Sequence, residues 1–149
     1  MSMKVLRCVL ALSGLAYVAS LSEAQTPTGA ALLLEYECSG FRGVYMRTPT
    51  WKPDSDALTG QVLRISFRTD TGESSIAWLL NGTEYNKEAG IAIKQSSGFL
   101  VLVPSDDRVE TYVYSGATSE MFFTQIRSGN ALLPNGIKGF RGSCVGGKR

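Results

Sequence analysis

Histidine is absent from this chain of 149 residues. The commonest general base at neutral pH is therefore missing, and Ser-His-Asp, Cys-His and His-ligated metal chemistry are excluded with it. Charge of either sign is scarce. The chain has 15 Lys and Arg against 13 Asp and Glu, a net +2 that leaves no electrostatic footprint for a general nucleic-acid binder. No stretch of ~18 apolar residues occurs, so no segment reads as a membrane-spanning helix. Helical periodicity is scarce too: beyond residue 24, no window longer than about ten residues keeps a 3.6-residue apolar period without a Gly or Pro. What is present is 44% hydrophobic content with 16 Gly, enough for one packed domain and too apolar for disorder.

The chain begins with an address. Lys4 and Arg7 precede an apolar run from Cys8 to Val18, and small residues follow as far as Ser22-Glu23-Ala24. A positive start, a short apolar centre and small residues three and one positions before Gln25 fit a cleaved export signal over residues 1–24. The run is too short to cross a hydrocarbon core of ~30 Å as a helix. Cys8 follows Arg7 inside the signal, so it does not read as a lipid-anchored cysteine, and the mature chain carries no membrane anchor. Cleavage removes Lys4, Arg7, Cys8 and Glu23, leaving 125 residues with 13 basic and 12 acidic side chains, bound for a periplasm or for secretion. Residues 25–31 read as a loosely ordered lead-in and 32–149 as a single β domain.

Of the three cysteines, Cys38 and Cys144 then remain. In an oxidising compartment two cysteines read as one disulfide, here between positions 106 residues apart. A catalytic or metal-binding thiolate pair would be closely spaced instead. The flanks mirror each other: Ser39-Gly40-Phe41-Arg42-Gly43 runs inward from one cysteine, and Ser143-Gly142-Arg141-Phe140-Gly139 runs back from the other. Antiparallel pairing with the cysteines opposite sets Phe41 against Arg141 and Arg42 against Phe140, within cation–π reach, and puts the Arg42–Phe140 pair on the disulfide's face. This is either the seam that sews the first strand to the last, or an arginine-bearing surface for an anionic partner, helped by Lys138, Lys148 and Arg149.

From residue 32 onward the apolar period is two. Leu32–Cys38, Gln61–Thr69, Ser75–Leu80, Ile91–Gln95, Phe99–Val103, Val109–Tyr114, Met121–Arg127 and Ile137–Cys144 read as strands, separated by turn clusters at 8–12-residue spacing. Asn81-Gly82 is a strong hairpin dipeptide, and Asn86–Ala89 could hold one helical turn. A meander of about eight strands must close or stack, because open apolar edges aggregate. The end-to-end cysteines favour closure, so the expected fold is all-β, a small antiparallel up-and-down barrel of lipocalin-like proportions, with a two-sheet sandwich as the alternative. Phe99–Val103 lacks polar alternation and should be covered on both faces, with residues 43–60 as the cover. Pro49 and Pro53 bar a central strand in that segment. Long loops often carry function, which makes Tyr45 and Trp51 candidate binding residues. Alternatively Tyr45, Met46 and Trp51 plug one barrel end.

Carboxylate chemistry finds little support. Asp54, Asp56, Asp106 and Asp107 sit in Pro- or Ser-rich turns, where Asp serves local hydrogen bonding. Asp54-Ser55-Asp56 opens like a calcium loop but lacks the remaining spacing and the closing Glu, so no metal or cofactor is implied. Asn81-Gly82-Thr83 matches a glycosylation sequon and is equally a hairpin turn. Tyr112, Tyr114, Phe122 and Phe123 could stack bases, but strand spacing and near-neutral charge make them core and sheet-surface aromatics. Arg64, Arg68 and Glu110 read as solvated faces.

Tyr36-Glu37-Cys38-Ser39-Gly40 resembles the opening of the membrane-bound and periplasmic C-type lysozyme inhibitors, small bacterial β proteins with an export signal and a cysteine after the first strand. Their Ser-Gly-x-x-Tyr motif has no counterpart, since Phe99, Leu100 and Val101 follow Ser97-Gly98, and no inhibitory residue is transferred. The expected function is a non-catalytic binding or inhibitor module of the cell envelope, with a protein or a small apolar ligand as partner. A carrier for small apolar ligands is the alternative, followed by a carboxylate-dependent hydrolase that needs two acids from different strands in one pocket.

Overall fold

Nine strands follow one another in chain order. They are β1 (Leu33–Arg47), β2 (Asp54–Ala57), β3 (Gln61–Arg68), β4 (Glu73–Leu80), β5 (Thr83–Gln95), β6 (Gly98–Pro104), β7 (Arg108–Ser115), β8 (Glu120–Arg127) and β9 (Gly136–Lys148). The structure is a computed structural model and describes residues 31–129 and 135–148. The export signal expected over 1–24 lies outside the described residues, as do the lead-in up to residue 30 and Arg149. Among the described residues there is no helix. Asn86–Ala89 belongs to β5, which runs back to Thr83 because Asn81 (φ 51°) and Gly82 (φ 82°) make the tight turn that joins it to β4.

All pairings are antiparallel, and β9 returns to pair with β1. The result is a closed eight-strand barrel with one extra strand, not a two-sheet sandwich. The extra strand, β2, comes from the segment expected to be irregular. β1 continues to Arg47, the chain turns through Thr48–Pro53, and β2 lies along the far half of β1 with Tyr45 opposite Asp54. Pro49 and Pro53 fall in the connection, where no ladder hydrogen bond is lost. The 43–60 segment therefore does not cover β6. Leu100 and Leu102 face outward, half-buried, Leu100 in a row with Ile93, Val113 and Phe122 and Leu102 between Ile91 and Thr111 along the outer wall.

Cys38 and Cys144 are opposite one another and joined, with their Cα atoms 4.0 Å apart. Ser39 pairs with Ser143, as the mirrored flanks imply, and the register then shifts. Gly40, at φ 67°, adds one residue to β1 as a bulge, so Arg42 pairs with Arg141 and Gly43 with Phe140. An added residue inverts which face every later side chain takes. This corrects the expected cation–π pairing. Phe41 and Phe140 both turn inward and are buried, while Arg42 and Arg141 stand side by side on the outer wall.

Inside, aromatic rings fill one end. Tyr36, Phe67, Phe99 and Tyr114 pack together, with centroids 4.6 Å apart for Tyr36–Tyr114 and 4.8 Å for Phe67–Phe99. A second ring layer lies across the middle, where Trp78 meets Phe41 at 5.2 Å and Phe123 at 5.5 Å, and Tyr112 stacks on Phe123 at 4.9 Å. Leu63, Ile65, Ile76, Val101 and Val103 complete the core. The disulfide closes a loop of 106 residues, which in the chain-entropy model is worth ~4–5 kcal/mol. The Cys38→Ala/Cys144→Ala double variant is expected to melt more than ~10 °C below the parent by circular dichroism. Equal melting temperatures would show that the bond does not hold the barrel.

Candidate binding site

Each inward stripe changes character along its strand. On β7 the inward residues run Tyr114, Tyr112, Glu110, Arg108. On β8 they run Met121, Phe123, Gln125, Arg127, and on β5 Ala92, Gly90, Glu88, Asn86. Antiparallel pairing brings the polar ends of all three stripes to the same end of the barrel, joined there by Lys138 of β9 and by Tyr45 and Arg47 of β1. One pole of the interior is therefore aromatic and packed, and the other is polar and open.

The open end holds two clefts. The larger, about 520 Å³, is walled by Leu58, Trp78, Phe123 and Phe140 below and by Asn86, Arg108, Arg127 and Lys138 above. The smaller, about 340 Å³, lies against Tyr45, Arg47 and Asp56. The two share Gln125, Arg127 and Lys138. Both volumes fall within the range of small-ligand sites.

Beneath the larger cleft runs a buried chain of hydrogen bonds. Trp78 Nε1 donates to Tyr112 Oη at 3.2 Å, and Tyr112 Oη donates to Glu110 Oε2 at 2.5 Å. Glu110 Oε1 accepts from Gln125 Nε2 and from Arg108 Nε, the latter at 3.0 Å. Glu110 is 4% exposed, which corrects its reading as a solvated residue: it lies in phase with the inward tyrosines of β7. Arg108 also binds Glu88 Oε1 and lies 3.3 Å from Asp107 Oδ1, so three carboxylates converge on one guanidinium. Among the described residues, Glu88 Oε2 is buried without a hydrogen-bond partner, and so is Arg127 Nε, whose ion-pair partner Asp107 Oδ2 lies 3.6 Å away.

The cations on the opposite wall have fewer partners. Arg47 lies over the Tyr45 ring at 4.9 Å and donates to Tyr45 Oη, which itself donates to Asp54 Oδ2 at 2.8 Å. Among the described residues, neither Arg47 nor Lys138 has a carboxylate within 4.0 Å. Partial desolvation pushes the Lys138 ammonium below the usual lysine range, and the like charge of Arg127 adds to the shift.

Of the residues that stand out in the sequence, Tyr45 and Phe140 meet at this end together with Lys138. Phe41 lies deeper, against Trp78. Arg42 and Arg141 flank a separate shallow cleft of about 280 Å³ on the outer wall beside Phe122, where Arg141 Nε lies 3.5 Å from Glu120 Oε1. Trp51, 45% exposed and at φ 50°, lines neither cleft of the open end. Arg108, Arg127, Glu88, Gln125 and Trp78 went unmarked as site residues. The signal that reveals them is a polar residue in phase with an apolar stripe, at the same end of strand after strand. No family model, characterised protein or solved structure matches the chain.

Burial, followed by the charge of Glu110, raises the Tyr112 phenol far above its ordinary value. An unfolded tyrosine titrates near ~10, so the native state holds this proton more tightly than the unfolded chain does. The stability this contributes is complete below about pH 10 and is lost as the pH rises above it. Tyr112→Phe is expected to cost ~1–3 kcal/mol at pH 7, because Trp78 Nε1 and Glu110 Oε2 lose their partner. It should also flatten the alkaline loss of stability seen in urea melts between pH 9 and 11. A variant as stable as the parent at pH 7, with the same alkaline slope, would refute the buried chain.

Proposed function

We propose that the protein is an exported, non-catalytic binding module whose ligand enters the open end of the barrel. One observation carries this reading: one end of the interior is filled by rings, while the other opens as a cleft of about 520 Å³ over an aromatic floor. Such a cup supplies apolar contact at depth and polar selection at the rim, the division of labour found in small-ligand sites. Export is supported by the apolar run Cys8–Val18 and by a disulfide, a bond that persists in oxidising compartments.

A carboxylate-dependent hydrolase is the second reading, suggested by Glu88 and Glu110, which come from different strands and meet at Arg108, although neither lines the larger cleft. Arg108, a permanent cation, binds both. Both Glu110 oxygens already accept hydrogen bonds, from Arg108, Gln125 and Tyr112, and the residue is buried beneath the cleft and does not line it. The pair therefore fits a structural role better than acid–base work.

Two outcomes test the proposal. Titration of the disulfide-intact protein with two related dyes, neutral N-phenylnaphthylamine and anionic anilinonaphthalene sulfonate, is expected to show one-to-one binding of at least one of them, with quenching of Trp78. Asn86→Phe, which fills the larger cleft, should abolish that binding without changing the circular dichroism spectrum. Binding that survives Asn86→Phe, or no binding at all, would overturn the reading of the open end. Separately, protein recovered from the exported fraction is expected to begin at Gln25, and an intact Met1 there would refute the signal.

A further inference from the structure

Resting on the reading of the open end as a binding site, we propose that its ligand has an oxyanion head and a flat apolar body. The head lies among Lys138, Arg127 and Arg47, and the body lies over Trp78, Phe123 and Phe140.

The charges at this end are sorted by wall. On the β5–β7 side Glu88, Glu110 and Asp107 converge on Arg108 and are neutralised there in part. On the β1–β8–β9 side the smaller cleft is lined by Arg47, Arg127 and Lys138 against the single carboxylate of Asp56. Among the described residues neither Lys138 nor Arg47 is ion-paired; Arg127 lies 3.6 Å from Asp107 Oδ2, beyond hydrogen-bond range, so its buried Nε–H has no acceptor. Three cations drawn together with unused donors favour an anion, which would accept from them and relieve their mutual repulsion. A cationic ligand would instead have to enter past all three. The body follows from the floor. Trp78, Phe123 and Phe140 line the larger cleft, and Phe123 and Phe140 lie nearly parallel, at 18° with centroids 6.2 Å apart, an arrangement that a flat ring system can extend. Lys138 and Arg127 line both clefts, so one molecule can touch the floor with its body and the cations with its head.

The same two dyes separate this inference from the reading beneath it, since they share a skeleton and differ by one sulfonate. The sulfonate dye is expected to bind the parent at least about tenfold more tightly than the neutral one, as charge-assisted hydrogen bonds warrant. Lys138→Met should remove most of that preference, read as the ratio of the two dyes' affinities, and Lys138→Arg should restore it. Arg64→Gln, which removes one positive charge from the outer wall, serves as the control and should leave the preference unchanged. Equal affinity of the parent for both dyes, with both lost in Asn86→Phe, would overturn the anionic head and leave the binding reading intact. A sulfonate preference that persists in Lys138→Met, or falls equally in Arg64→Gln, would also overturn it. Binding of neither dye would overturn both.

Discussion

Closure of β1 on β9 is the constraint on which the rest of the molecule depends. Antiparallel strands joined by short turns would otherwise leave two long edges, each a row of unpaired backbone groups. Here the first and last strands supply each other's partners over nearly their whole length, and the Cys38–Cys144 bond lies buried within that ladder. Once the two strands are held in register, the inward stripes of all eight barrel strands must share one interior, which fixes what sits at each end of it.

The bulge at Gly40 shows how much turns on one residue. Without it, the residues of β1 beyond the disulfide would take the opposite face, with Arg42 in the core and Phe41 in solvent. With it, Phe41 reaches Trp78, and Tyr45 reaches the rim with its hydroxyl on Asp54. Gly142 on the facing strand is the other half of the device. A Cβ there would come within 2.8 Å of the Phe41 ring, so the inward turn of Phe41 requires glycine opposite it. The mirrored Ser-Gly pairs thus have separate tasks, one bending a strand and the other making room for the ring this bend directs inward.

The architecture was legible in the amino-acid order because alternation and turn chemistry are local. Leu63, Ile65 and Phe67 alternate with Arg64 and Ser66, Asn81-Gly82 takes the left-handed turn it favours, and the cysteines bracket the body. Three things were not legible. The register beyond Ser39 depends on a bulge that a glycine permits but does not compel. β2 is a four-residue edge strand that exists only because β1 runs on past Cys38 to offer it a partner. The polar pole of the interior escaped notice because each of its members is unremarkable alone. Glu110 beside Thr111 looks like a solvated face until Tyr112 and Tyr114 are seen to share its phase, and Lys138 looks like a seam charge until Phe140 is. Only closure, which sets the strand ends beside one another, makes a constellation of them.

Leu33 and the last residues of β9 meet at the ring-packed pole, where Leu34 pairs with Lys148. The barrel is thus carried by both of its outermost strands from the side opposite its opening. A tether attached at either strand end, whether a linker, a bead or a neighbouring domain, would hold the cup upright with its rim turned toward the solvent.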